Sequence, residues 1–282
     1  VALFLGSILA ALPAIVVLVR QGAAGRKVGL PFAPFLAAGG VIALFAGGCT
    51  LETAEAVCAG GGIDEAEVLD LLTHLVDKSL VAMDADGSRY RLLETVREYA
   101  LARLDESGEG MEARTRHLEH YVAFGEKAKH AFYGPAQADM LARLDLEREN
   151  ILAAHVWAAH EPPGGELGLR LAYSVGPYWY ARGQPDLGRR LNEEALARPG
   201  AYARSAARAR TLFEAGWQCC HLGRYEDAAK AHGEVIASIA QRVEGLLAEA
   251  EAARSVVRVN LVEGTVDLEQ EVKRELLFLS VL

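Results

Sequence analysis

Leu72-Thr-His-Leu-Val-Asp-Lys-Ser-Leu-Val-Ala-Met-Asp-Ala-Asp-Gly-Ser-Arg-Tyr-Arg-Leu-Leu-Glu-Thr-Val-Arg-Glu-Tyr-Ala100 is the stretch on which the fold turns. It begins inside an amphipathic helix whose apolar residues Val68, Leu71, Leu72, Leu75 and Val76 recur at i, i+3, i+4, i+7 and i+8. Two strand-compatible runs follow, one with Leu80, Val81 and Met83, the other with Tyr90, Leu92 and Leu93. They flank Asp84-Ala-Asp-Gly-Ser88, whose Asp-Gly step predicts a β-hairpin. Val96, Tyr99, Ala100 and Arg103 then return to helical spacing, and Ser107-Gly108 is a helix stop.

Upstream, Asp64 with Glu67 predicts a capping-box start for the amphipathic helix. Thr50 is placed to cap a shorter helix through Cys58, which the glycines of Ala59-Gly-Gly-Gly-Ile63 terminate. Helices packed beside a hairpin outline a small winged-helix domain over residues 48–107.

Three segments carry a more specific likeness: Phe45-Ala-Gly-Gly-Cys-Thr-Leu-Glu-Thr-Ala-Glu-Ala-Val57, Leu72 to Leu80, and Tyr90-Arg-Leu-Leu-Glu-Thr-Val-Arg-Glu-Tyr-Ala100. They resemble the winged-helix region of STAND-type regulatory ATPases, the large LuxR-type and SARP-type bacterial transcriptional regulators. The likeness continues through His117, Tyr121 and Leu144-Asp-Leu-Glu-Arg-Glu-Asn-Ile151. It implies a cytoplasmic relay, residues 48–282, between a nucleotide-binding core and a sensor array, with the winged helix packed on the ATPase. Direct DNA binding is not expected. The helix from Asp64 to Ser79 carries Asp64, Glu65, Glu67, Asp70 and Asp77 against Lys78, whereas a nucleic-acid footprint is basic. The ATPase itself has no phosphate-binding loop here, since no Gly-Lys-Ser or Gly-Lys-Thr occurs. No terminal helix-turn-helix effector is visible either.

Residues 1–47 are built differently. No Asp or Glu precedes Glu52, and Arg20, Arg26 and Lys27 give this piece +3, whereas 26 basic and 38 acidic residues leave the rest at −12. Val1–Val19 and Val28–Leu51 are uncharged apolar runs of 19 and 24 residues around a basic loop, each long enough to cross a bilayer as a helix. Phe4-Leu-Gly-Ser7, the basic loop, Leu30-Pro-Phe-Ala-Pro-Phe-Leu36 and Gly39-Gly40 are similar to the last two membrane helices of type IV prepilin peptidases, with Ala33 in place of the expected Gly. Those are aspartic proteases that need two carboxylates. An acid-free segment cannot supply them, so a peptidase remnant is a reading without catalysis. If the basic loop marks the cytoplasmic side, the second span delivers Thr50 onward outside, against the regulator reading. Inverted insertion, burial of the second run in the soluble fold, and a fusion junction near Phe45 each resolve the conflict. The junction is the preferred one.

After connecting helices at 112–160, residues 161–282 read as helical repeats. Gly176 and Gly183 against Gly216 and Gly223 form two Gly-x6-Gly pairs 40 residues apart, and Gly216 to Ala228, with Gly223-Arg-Tyr225-Glu-Asp-Ala228, resembles a tetratricopeptide core. The usual period of such repeats is about 34. Ala195 and Ala228 fall at small-residue positions, and a degenerate third unit could centre on Gly264, weakened by the β-branched run Val256–Val262. Stacked helix pairs leave a concave face for a protein or small effector. Trp179, Arg182 and Trp217 are candidates for that surface, beside Gly176, Gly183, Gly216, Gly223, Tyr225 and Ala228 as repeat packing. Arg182, Arg189, Arg190, Arg204, Arg208 and Arg210 line an anion groove or lie on solvated faces.

Four cysteines give no disulfide framework, and His117 with His120 lacks further ligands for a metal. The expectation is a mainly α chain: an apolar two-helix hairpin with contact to the inner membrane, a winged helix, then an α-solenoid. Its function is that of a signal-transducing regulator fragment, not an enzyme and without cofactor, working with a nucleotide-binding domain outside this chain. A membrane-tethered interaction scaffold is the other non-enzymatic alternative.

Overall fold

A computed structural model describes residues 39–60, 63–132, 134–160, 165–202 and 205–263 of the chain. Its elements are α1 (Leu51–Cys58), α2 (Glu65–Asp77), β1 (Val81–Met83), β2 (Tyr90–Leu92), α3 (Glu94–Ser107), α4 (Gly110–Ala131), α5 (Gln137–Trp157), α6 (Gly165–Ala181), α7 (Pro185–Ala197), α8 (Ala206–His221) and α9 (Tyr225–Glu263).

The local signals act where the sequence puts them. Thr50 Oγ1 accepts from the Thr53 amide at 3.2 Å and starts α1, and the Asp64 amide donates to Glu67 Oε2 at 3.2 Å at the start of α2. α2 buries Val68, Leu71, Leu72 and Leu75. β1 and β2 pair antiparallel with Val81 opposite Leu92, Ala82 opposite Arg91 and Met83 opposite Tyr90. The turn between them closes through the Gly87 amide donating to Asp84 O at 2.9 Å, with Gly87 at φ 74°. Cys49 pairs with the free edge of β2, exchanging both backbone hydrogen bonds with Tyr90 at 2.9 and 2.8 Å. Gly108, at φ 81°, ends α3 in the left-handed region that a Cβ disfavours.

The expected apolar hairpin at 1–47 lies largely outside the described residues, but its described end, residues 39–47, belongs elsewhere. Residues 39–42 are helical, and Val41, Ile42, Leu44 and Phe45 are buried in one core with Val57, Leu72, Leu104 and Leu118. Phe45 meets the His117 ring at 5.2 Å, and Arg97 Nη1 reaches Ala43 O at 3.5 Å. The charge-free character of this stretch thus comes from packing inside the winged-helix unit, whose edge is moved to before residue 48. Among the described residues no helix is long and apolar enough to cross a membrane.

α4 and α5 pack on each other, and α4 also lies along α6. α6 with α7 and α8 with α9 form two successive helix hairpins, with α8 packed on both members of the first. Their turns repeat at the expected 40-residue offset. Gly183 (φ 68°) and Gly223 (φ 72°) occupy the left-handed position, and the next amides, Gln184 and Arg224, donate back to Trp179 O at 2.7 Å and Cys219 O at 2.9 Å. α9 then runs unbroken to Glu263, through the β-branched stretch, so the described residues contain no turn leading into a third pair. Gly264 lies outside them.

Candidate functional site

A buried polar junction joins the base of the wing to α5. Arg89, at the end of the hairpin turn, donates from Nη1 to Glu147 Oε1 at 2.5 Å and from Nη2 to Gly47 O, Gly48 O and Leu146 O at 3.1, 2.9 and 3.3 Å. Glu147 Oε2 accepts from the Tyr121 hydroxyl at 2.6 Å and from Asn150 Nδ2 at 2.7 Å. Asn150 also donates to Gly48 O at 2.9 Å and accepts from the Gly47 amide at 2.9 Å. The Arg89, Tyr121, Glu147 and Asn150 side chains are thus linked into one buried network, in which Arg89 Nε alone lacks a hydrogen-bond partner among the described residues; such polar networks favour one arrangement over others.

Gly48 makes the approach possible. It sits at φ +74°, and a Cβ there would lie 2.6 Å from Tyr90 O. Burial, then Glu147, raises the Tyr121 phenol well above its ordinary range, so it stays a donor. Burial likewise pushes His117 down to about 3 and Cys58 up to about 12. These groups are neutral packing elements at pH 7, and the thiol at Cys58 is not a nucleophile.

Three of the junction's side chains were missed by sequence reasoning: Arg89, Glu147 and Asn150. The signal was present in α5, where buried Leu144, Ile151 and Ala154 share their stripe with Glu147 and Asn150. Two polar residues on a buried helix face ask for partners.

In the winged helix, α2 exposes Glu65, Glu67, Asp70 and Asp77. This is the helix that follows the turn after α1, the position of the groove-reading helix in helix-turn-helix proteins.

The residues expected to pack the repeats or face a partner divide in several ways. Gly176 abuts the Glu214 carboxylate of α8, and a Cβ at Gly216 would stand 2.5 Å from the His232 ring of α9, so both are close-approach points, though between different helix pairings. Gly183 and Gly223 are turn residues with open space around them. Ala228 is buried. Tyr225, however, is 70% exposed: it opens α9 at the surface and packs nothing in the core. Trp179 is 1% exposed and cannot face a partner; its ring lies against Tyr178 at 4.7 Å and under the Arg148 guanidinium at 5.7 Å. Arg182 is exposed but bound to Asp145, which also accepts from the Tyr178 hydroxyl at 3.1 Å. Trp217 is half-buried in an aromatic group with Tyr180 (4.6 Å) and His221 (3.9 Å). Of the other arginines, Arg189 binds Asp186 and Glu193, Arg208 binds Glu234, Arg190 lies near Asp186, and Arg204 is outside the described residues.

Residues 41–105 match the family described as a winged helix-turn-helix domain, the class that α1, α2, the wing and α3 define. A protein of Mycobacterium tuberculosis (strain H37Rv), provisionally named an HTH-type transcriptional regulator, is 43% identical over 146 residues, which are 50% of this chain and 16% of that protein. A Mycobacterium bovis protein with the same kind of name gives the same figures. An uncharacterized Mycobacterium tuberculosis protein is 42% identical over 82 residues, 28% of this chain and 21% of its own length. The matched part is thus a small fraction of the relatives' length. No solved structure matches the chain.

Proposed function

We propose that this chain is the relay and sensing portion of a bacterial transcriptional regulator of the STAND type, in which the winged helix transmits a state rather than reading DNA. The relatives' names support the regulatory setting. The observation that supports the relay reading is the Arg89–Glu147–Asn150 junction, which ties the base of the wing to α5. The two hairpins α6–α7 and α8–α9, with their repeated turns, support a tetratricopeptide-like array that receives a protein or small effector. On this reading the chain is cytoplasmic, has no catalytic activity of its own, and works with a nucleotide-binding domain.

A second reading has one specific observation in its favour: the domain class and the relatives' names are those of helix-turn-helix regulators, which read DNA in the major groove. The acidic face of α2 opposes it, because phosphate contacts need Lys and Arg. Fluorescence anisotropy with labelled random-sequence duplexes at low salt decides between the two. The relay reading expects no binding. Salt-sensitive binding that is lost when α2 side chains are changed overturns it.

A further inference from the structure

A cleft of about 310 Å³ opens between the start of α1 and the facing sides of α4 and α5. That is at the lower end of ligand pockets, which run from about 300 to 1,000 Å³. Phe124 and Leu146 give it apolar walls, and the Arg89–Glu147 pair closes its inner side.

Three features give it a preference for negative charge. Lys127 of α4 and Arg143 of α5 line it, and among the described residues neither is paired with a carboxylate; Arg143 lies over the Phe124 ring at 5.6 Å. The first turn of α1 also lines it, through Thr50, Glu52 and Thr53; Thr50 Oγ1 takes the Thr53 amide, and the Leu51 and Glu52 amides have no intrahelical acceptor. Finally, Glu147 is already neutralised by Arg89, so Glu52 is the one remaining acid against two cations. His120 adds a hydrogen-bonding group that burial keeps uncharged near neutral pH.

We propose that this cleft binds a small organic anion, its charged end between Lys127, Arg143 and the start of α1 and its apolar body on Phe124 and Leu146. The occupant touches the winged-helix unit through α1 and the following helices through α4 and α5. Binding is independent of the relay reading and stands even if the winged helix proves to read DNA.

The test is an NMR titration of the full 282-residue chain, labelled with 15N, using phenyl phosphate as the probe and benzyl alcohol as its uncharged counterpart. Saturable shifts are expected at Leu51, Glu52, Thr53 and Phe124 with phenyl phosphate and not with benzyl alcohol. Lys127 and Arg143 are exposed, so Lys127→Glu with Arg143→Glu leaves the fold intact, as circular dichroism checks. The double variant is expected to weaken binding by at least about tenfold. The proposal is overturned if phenyl phosphate causes no saturable shift, if its shifts map to another surface, if benzyl alcohol reproduces them, or if the double variant binds as tightly as the parent.

Discussion

Arg89 Nη1 lies 2.5 Å from Glu147 Oε1, with side-chain exposures of 4% and 10%, although 58 residues separate them. Removing one partner strands a buried charge, which costs about 3–5 kcal/mol, whereas replacing both by apolar groups avoids that penalty. Arg89→Met and Glu147→Met are each expected to lower the urea midpoint sharply. Arg89→Met with Glu147→Met should lose less than the sum of the two single changes. Additive losses in that double-mutant cycle would mean the pair is not coupled.

Gly48 holds the backbone turn under this pair. Gly48→Ala meets both the left-handed backbone and the Tyr90 carbonyl, and we expect a loss of about 1–2 kcal/mol or more. Hydrogen exchange should report it first at the Cys49 and Tyr90 amides, each of which donates to the other residue's carbonyl across the sheet edge.

Ser79 is the one non-glycine with positive φ among the described residues, at 57°, where the chain leaves α2 and the Leu80 amide returns to Leu75 O at 3.0 Å. Glycine takes this conformation without the Cβ penalty. Ser79→Gly should therefore stabilise by about 0.5–1 kcal/mol, net of its greater freedom when unfolded. A fall in thermal midpoint for this variant would contradict the reading.

Two buried groups give opposite pH dependences. Burial raises Glu214 from 4.5 to about 7, so the folded state holds its proton more tightly; that contribution is full below pH 4.5 and is lost as pH rises to 7. Burial, then Arg198, lowers His155 from 6.5 to about 4, so its contribution is full above pH 6.5 and is lost as pH falls to 4. Glu214→Gln should raise the thermal midpoint more at pH 8 than at pH 4.5. Equal effects at both values would place Glu214 in contact with solvent.

The boundary before residue 48 can be tested by truncation. Val41, Ile42, Leu44 and Phe45 each gain roughly 1.5–3 kcal/mol from burial, about 6–12 kcal/mol together, which is comparable to the whole stability of an ordinary domain. A chain beginning at residue 46 is expected to lose cooperative unfolding of the winged helix, and one beginning at residue 39 to keep it. Identical denaturation curves for the two would restore the sequence-based boundary.

Elements governed by local chemistry were legible in advance. Thr50, the Asp64–Glu67 pair, the Asp86-Gly87 turn and Gly108 each act through neighbours within a few residues, so spacing alone located them. The 40-residue repeat of Gly183 and Gly223 was visible for the same reason. Long-range pairing was not. Nothing near Arg89 in the chain points to Glu147, and an uncharged run through Val41–Phe45 reads alike whether lipid or protein surrounds it. Trp179 was misplaced because an aromatic residue in a helix does not reveal which face its neighbours cover.

Arg89 and Asn150 address their partners largely through main-chain carbonyls, those of Gly47, Gly48 and Leu146. Main-chain acceptors persist whatever side chains a lineage substitutes around them. Substitutions on the outer surface of this junction therefore leave in place the carbonyl acceptors that hold the wing against α5.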